Sequence, residues 1–329
     1  AMFGDFLDAP IHLTGTNGAQ QMRADLALGG GARRLKISEN NSALPTDRAT
    51  VAYNRYSDVL SFDADEMIPG GVTTRDVNRY TVGLEMADST ESWSLETRFT
   101  IAESFAGQGD QFSLAGSGLG NVLIGLKRLL FVHDRFVVTG GVAMDFPLGG
   151  EALASVGTHR LTVRNEALHL QPYLASASVR GPFFFQSFSQ VDVALSGNAI
   201  DVYDDCLCTD ATIGQYTDQG YWHNDIAAGV WILRDGFENR WLAGLAAIGE
   251  FHHTTAITDT DRIEHTFSLG ETILLTSPTN RVNPMNATFG VHALLHSNTE
   301  IRLGVSLPVA ETHDRWFDSE WILQINQRL

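Results

Sequence analysis

Arg79-Tyr80-Thr81-Val82-Gly83-Leu84-Glu85-Met86 alternates without a break: Tyr80, Val82, Leu84 and Met86 are apolar, and Arg79, Thr81, Gly83 and Glu85 lie between them. Successive side chains of a strand point to opposite faces, so this segment has one apolar and one polar face. The pattern recurs outward in both directions. Trp93, Leu95, Phe99 and Ile101 alternate with Ser94, Glu96, Arg98 and Thr100. Phe289, Val291 and Ala293 alternate with Gly290 and His292, and Ile301, Leu303 and Val305 with Arg302 and Gly304. The chain closes on Trp321, Leu323 and Ile325 against Gln324 and Asn326.

A soluble sandwich also alternates. Two features favour a membrane barrel instead. The alternating runs reach about 10–14 residues, where soluble strands run about 5–6 and tilted membrane strands about 9–11. The polar face carries charges in mid-strand, which a dry soluble core would not tolerate unpaired. In a membrane barrel the apolar face meets lipid and the polar face lines the lumen. The fold class expected is therefore all-β, a single antiparallel transmembrane β-barrel.

Connection lengths support this. Short ones fall near 87–92, 133–135, 180–183, 235–240 and 297–299, and long ones near 59–74, 103–119, 149–166, 202–220, 257–283 and 310–317. Strict alternation of short and long matches periplasmic turns and external loops. Twelve strands result: 49–59, 75–87, 92–103, 120–132, 136–148, 167–180, 183–201, 221–234, 241–256, 284–296, 300–310 and 316–329. Fourteen are possible if part of 257–283 forms a further hairpin. Trp93, Phe136, Phe183 and Trp241 lie near short turns, and Trp222 and Trp316 near long loops. Amphipathic rings favour the headgroup level, so these six are expected to form two interfacial girdles.

Residues 1–48 show no sustained period. They divide from the barrel domain 49–329 as a periplasmic or lumen-filling segment. Gln20–Leu26 reads as a short helical turn and Leu35–Ile37 as a short strand. The opening Ala1-Met2 carries no basic or apolar leader, and the expectation is that a signal peptide has been removed.

Composition sets further bounds. Among 329 residues, 22 are basic and 39 acidic, giving a net charge of −17. Such a chain repels phosphates, so nucleic acid is not an expected partner. No run approaches a membrane-spanning helix.

Several stretches carry a family likeness: Leu35-Lys36-Ile37-Ser38-Glu39-Asn40-Asn41-Ser42 with Pro45, Asp47-Arg48 and Tyr53-Asn54-Arg55-Tyr56; Asp76-Val77-Asn78-Arg79-Tyr80; and Gly120-Asn121-Val122-Leu123-Ile124-Gly125-Leu126-Lys127. In this order the chain resembles the outer-membrane β-barrel proteins grouped with phenol-degradation-associated transporters, over roughly residues 33–329. The resemblance implies a Gram-negative outer membrane and uptake of small, often aromatic or apolar, molecules. Leu329 stands where such barrels usually end in an aromatic residue.

The candidate lumen residues are Arg79, Glu85, Glu96, Arg98, Lys127, Asp145, Asp225, His292, His296, Arg302 and Arg328. Their mixed signs suggest cross-strand pairs that narrow the pore. His292 and His296 would join such a network, with a pH-sensitive gate as the alternative. His252 and His253 are adjacent, so on a strand they point apart and do not share a metal. No metal site is expected. Cys206 and Cys208 fall in an external loop, where a disulfide, an intermolecular bridge and free thiols are all open. Acidic loops (Asp63, Asp65, Glu66; Asp204, Asp205, Asp210, Asp218; Asp259, Asp261, Glu264) suit divalent cations that bridge lipid phosphates; no other cofactor is expected. No GxSxG, HExxH, Walker or GxGxxG motif stands in context, which argues against an enzyme.

The function expected is a narrow or plugged outer-membrane channel for small molecules. The alternative is a structural barrel that anchors or assembles a surface complex. Expected surroundings are the lipid bilayer, lipopolysaccharide and a small solute, with an envelope protein as a possible partner.

Overall fold

The computed structural model describes residues 2–8, 10–17, 20–31, 33–63, 72–103, 105–108, 112–116, 118–234, 241–277, 281–309 and 314–329. Twelve strands form the wall: β1 Arg48–Asp63, β2 Val72–Ala87, β3 Trp93–Ala102, β4 Leu119–His133, β5 Phe136–Phe146, β6 His169–Arg180, β7 Phe183–Ala194, β8 Tyr221–Arg234, β9 Leu242–Ala256, β10 Met285–Leu295, β11 Thr299–Pro308 and β12 Ser319–Arg328. Each pairs antiparallel with its sequence neighbour. Strand β12 returns to β1, with Trp321 opposite Arg55 and Asn326 opposite Thr50, so the sheet closes and has no edge.

The alternation reads directly as inside and outside. Val82, Met86, Leu95, Phe289 and Leu303 point outward and are 53–61% exposed, while Thr81, Glu85, Glu96, Thr288 and Arg302 point inward and are buried. An apolar outer surface around a polar interior inverts a soluble protein and requires lipid outside. The wall is thus a transmembrane barrel.

Several of the long loops carry strands of their own. Six short strands, Phe105–Gln108, Phe112–Gly116, Ala152–Val156, His159–Val163, Asn198–Asp204 and Thr209–Tyr216, make a second sheet beyond the barrel rim. The run expected as one strand over 183–201 therefore divides into β7 and the cap strand starting at Asn198. Ile263–Thr266 and Thr272–Thr276 do form a hairpin, but outside the wall, so the barrel holds twelve strands and not fourteen.

The N-terminal segment departs most from expectation. Gln20–Leu26 is a strand, not a helical turn, and pairs with Ile11–Asn17. That hairpin pairs through Ile11–Asn17 with Thr272–Thr276 and touches β1 where Arg23 faces Asp63, so these strands continue the wall's own sheet beyond the rim, apart from the six-stranded one. Buried Leu13, Leu26, Leu114, Val163, Ile200, Phe267 and Ile273 join this extension and the six-stranded sheet in one apolar core. At about 25 cal/mol per Å², such burial stabilises a cap across the long-loop mouth. Leu35–Ile37 is no strand; it lies in irregular chain inside the barrel.

Candidate functional site: the lumen and its insert

Inside the wall, residues 2–8 rise towards the long-loop mouth, and residues 33–46 descend to the start of β1. Every backbone group of a wall strand's interior is already used by its neighbours, so this insert cannot join the sheet. It must be satisfied by side chains instead. Among the described residues, no backbone-to-backbone bond links 2–8 or 34–46 to the body of a wall strand. Both carboxylate oxygens of Glu250 accept from the Phe3 N–H at 3.0 Å, and Gln324 donates to the Phe3 carbonyl at 2.8 Å. Arg79 and the Tyr56 hydroxyl donate to the Phe6 carbonyl at 2.8 and 3.0 Å. Arg98 donates to the Glu39 carbonyl at 2.6 Å and Arg48 to that of Asn40 at 2.7 Å.

The insert also has a fitted apolar contact. The Phe3 ring lies against Gly290 and Gly304; a Cβ on Gly290 would come within 2.5 Å of it. Gly4 has φ +88°, and a Cβ there would meet Glu39 Cγ at 2.3 Å. No other residue allows that backbone and that approach.

Charge is arranged in three tiers. Near the short-turn end, Arg48 bonds Glu85 at 2.7 Å and Glu96 at 3.2 Å, Lys127 bonds Glu85 at 2.7 Å, and Arg98 bonds Glu96 at 2.8 Å. At mid-height, Lys36 bonds Asp5 at 2.7 Å and Asp225 at 2.6 Å, with His252 2.9 Å from Asp225 and 3.2 Å from Glu250. At the long-loop rim, Asp8 holds Arg33 and Arg34, Asp218 holds Arg33 at 2.7 Å, and His169 bridges Asp192 and Asp218. Asp5, Asp225 and His252 form a possible metal-ligand set, but the Lys36 ammonium is already placed among these carboxylates.

At the rim, burial raises the Asp218 carboxyl, but the neighbouring Arg33 charge and the hydrogen bond from His169 hold it well below the usual carboxylate range. A depressed folded-state value means its contribution is present above the unfolded value and is lost as pH falls through the folded one. Acidification from about pH 4 downward is thus expected to loosen the loop 217–220 from Arg33. Protease cleavage in this loop should rise with acid in the native chain. It should rise at neutral pH in Arg33→Ala.

The sequence-derived lumen set divides. Arg79, Glu85, Glu96, Arg98, Lys127, Asp225, His292 and Arg302 are buried on inward positions. Asp145 is also buried, beside His169 across the β5–β6 pair, and neither of its carboxylate oxygens has a hydrogen-bond partner among the described residues. Arg328 sits at the short-turn mouth, 60% exposed, and bonds Glu300 at 3.0 Å. His296 does not line the lumen. Strand β10 ends at Leu295, and the following turn carries His296 into solvent, its N–H bonded to the Trp241 carbonyl.

Trp93, Phe136, Phe183 and Trp241 are exposed on the outer wall near the short turns, and Trp222 near the long loops. Trp316 points the other way: it packs edge-on against Phe6 and Tyr221, because the insert offers it an apolar partner inside. Cys206 and Cys208 are both exposed and free, in the turn joining the cap strands Asn198–Asp204 and Thr209–Tyr216. The external acids are largely engaged in protein contacts. Asp204 accepts from Cys206, Leu207 and Ser268, Asp259 pairs Arg281, and Asp261 accepts from Thr217. Asp65 and Glu66 lie outside the described residues.

Sequence reading missed Asp5, Asp8, Arg33, Arg34, Lys36, Glu39, Glu250, His169 and Asp192, and it set Asp218 among the external-loop acids suited to divalent cations, where the structure buries it against Arg33. One signal was available. The chain has only two lysines, Lys36 and Lys127, and lysine is almost never fully buried unless paired. Three basic residues between 33 and 36, inside a glycine-rich segment, require carboxylate partners elsewhere.

No family model and no curated protein sequence matches the chain. Among solved structures, an outer-membrane channel of Pseudomonas putida F1 has TM-score 0.53 at 9% identity, over 90% of this chain and 100% of that one. The β-domain of the Bordetella autotransporter BrkA has TM-score 0.48 at 11% identity, over 86% and 99%. The Pseudomonas putida toluene transporter TodX has TM-score 0.42 at 8% identity, over 91% and 94%. The first of these likenesses agrees with what the wall shows by itself: the fold is that of an outer-membrane β-barrel.

Proposed function

We propose that this protein is an outer-membrane channel for small molecules, held closed by its N-terminal insert. The observation that carries this reading is the mode of attachment. Within the lumen, residues 2–8 and 34–46 are bound to the wall by side-chain hydrogen bonds and ion pairs; backbone bonds to wall strands are confined to the long-loop rim, where Asn121 donates to the Arg33 carbonyl and Arg23 and Ala24 pair with Asp63 and Phe62, so the lumen part can leave without breaking a wall ladder. A barrel meant only to be filled could use wall side chains, as eight-stranded barrels do; twelve strands enclose more space, and a separate segment occupies it. The P. putida F1 structure is described as a channel, and the closed, lipid-facing wall suits the same membrane. Among the described residues, no set in the lumen is arranged as nucleophile and base around an open site, which favours transport over catalysis.

One observation favours the structural alternative: the ordered cap across the long-loop mouth gives a surface for a partner. Liposome swelling with sugars of graded size separates the readings. The full chain is expected to swell vesicles slowly, and a chain lacking residues 1–46 to swell them quickly up to a size limit. No swelling by the shortened chain, in a folded and heat-modifiable barrel, would favour the structural reading.

A further inference from the structure

The lipid-facing side of the wall is recessed across β5 to β10, where a groove holds about 570 Å³. Phe136, Phe185 and Phe251 stand around it, each 40–47% exposed, and Ser176, Ser187 and Ala228 form its floor. Ser176 and Ser187 share a hydrogen bond of 2.8 Å, so these hydroxyls have a partner where lipid offers none. At the short-turn rim the groove continues into two guanidinium groups. Phe136 directly follows Arg135. Ser178, which also lines the groove, lies two positions before Arg180 and so shares its face of β6. The Val179 N–H donates to the Arg135 carbonyl at 3.1 Å, which holds the turns 133–135 and 180–183 side by side. Arg135 and Arg180 are both exposed, and neither has a carboxylate partner among the described residues. Asp134, the acid of these two turns, faces His133 at 3.7 Å.

From this juxtaposition we propose that the groove binds an anionic phospholipid of the periplasmic leaflet, the leaflet that the short turns face. The headgroup phosphate meets Arg135 and Arg180, and an acyl chain lies along Phe136 and Phe185 over the serine floor. Guanidinium forks match phosphate oxygens, and aromatic rings suit the headgroup boundary. A zwitterionic lipid would bring its own cation beside the two arginines. Free phosphate would leave the groove empty, and a neutral hydrocarbon chain would leave the arginines unpaired. The inference goes beyond the channel reading: it concerns the outer wall and holds whether or not the lumen conducts.

The test is native mass spectrometry of the full chain in nonionic detergent, titrated with phosphatidylglycerol or with phosphatidylcholine of the same acyl chains. Saturable retention of phosphatidylglycerol is expected, about tenfold tighter than phosphatidylcholine. Replacing both arginines, Arg135→Gln with Arg180→Gln, should remove that preference and leave the weaker phosphatidylcholine binding in place. Ala228→Phe, at an exposed floor position, should fill the groove and weaken both lipids. Heat-modifiable migration checks that each barrel is folded; should the double variant fail this check, Arg180→Gln alone is the substitute, with a severalfold loss expected. Phosphatidylcholine held as tightly as phosphatidylglycerol overturns the proposal. So does a folded arginine variant that keeps the preference, or a folded Ala228→Phe chain that binds both lipids unchanged. Each of these results leaves the swelling experiment, and the channel reading, standing.

Discussion

Lys36→Met is expected to release the insert while leaving the barrel closed. The Lys36 ammonium is fully buried between Asp5 and Asp225. Removing it leaves two carboxylates facing each other at mid-lumen, with His252 beside them and the Asn286 amide donating to Asp5. Breaking a buried pair by deleting one partner costs about 3–5 kcal/mol, because the remaining charge is uncompensated. Wall ladders do not involve Lys36, so the loss falls on the docking of residues 2–8 and 33–41. Hydrogen exchange should report it: amides of Phe3, Phe6 and Ile37, protected in the native chain by Glu250, Glu39 and Gln190, should exchange faster. Amides of β2 and β3 should not change. Uniform loss of protection, wall included, would show that the insert is a folding element of the barrel and not a removable closure.

Phe3→Ala is the second large effect. The ring is 1% exposed, sits on Gly290 and Gly304, which have no side chain to fill the space it leaves, and packs with Ile248 and Ile322. Truncating a buried Phe costs about 3–5 kcal/mol, more where the site cannot collapse. The Phe3 N–H and carbonyl bonds to Glu250 and Gln324 remain available, so the register of the insert should hold while its affinity for the wall falls. Accelerated exchange at residues 2–8 with an unchanged Lys36 region is the expected pattern. Equal loosening at Asp8 and Arg33 would mean the insert moves as one rigid piece.

The contrast between these two regions explains what could be read from sequence. The wall was legible because its signal is local. Tyr80, Val82, Leu84 and Met86 declare their face within eight residues, and strand ends found by alternation fall mostly within a few residues of those observed, as at 75–87 against Val72–Ala87. The insert was illegible because everything that fixes it is distant: Lys36 finds Asp225, Phe3 finds Glu250, and Arg33 finds Asp218. No period links such partners. The cap failed for a related reason. Its strands are mostly four to eight residues long and sit between turn residues, so Ala152–Val156 reads as loop until Phe112–Gly116 and His159–Val163 lie beside it. Gln20–Leu26 follows Ile11–Asn17 closely enough for a hairpin, yet its Gln-Gln-Met-Arg-Ala opening has helix propensity, and tertiary pairing overrides that weak prior.

His296 and Trp316 were misplaced by extending a pattern one step too far. At His296 parity was carried past Leu295 into a turn. At Trp316 position near a long loop suggested a lipid interface, but Phe6 and Tyr221 were waiting inside. In both cases the deciding neighbour belongs to a different part of the chain.

Single-channel recording in planar bilayers, with the native chain beside Lys36→Met, decides whether the insert closes the pore. The native chain should be silent or open rarely, and Lys36→Met should conduct in long openings at the same reconstitution density. A Lys36→Met barrel whose insert exchanges freely but which stays silent would remove the gate reading. The wall side chains would then close the lumen by themselves, and the insert would not be its gate.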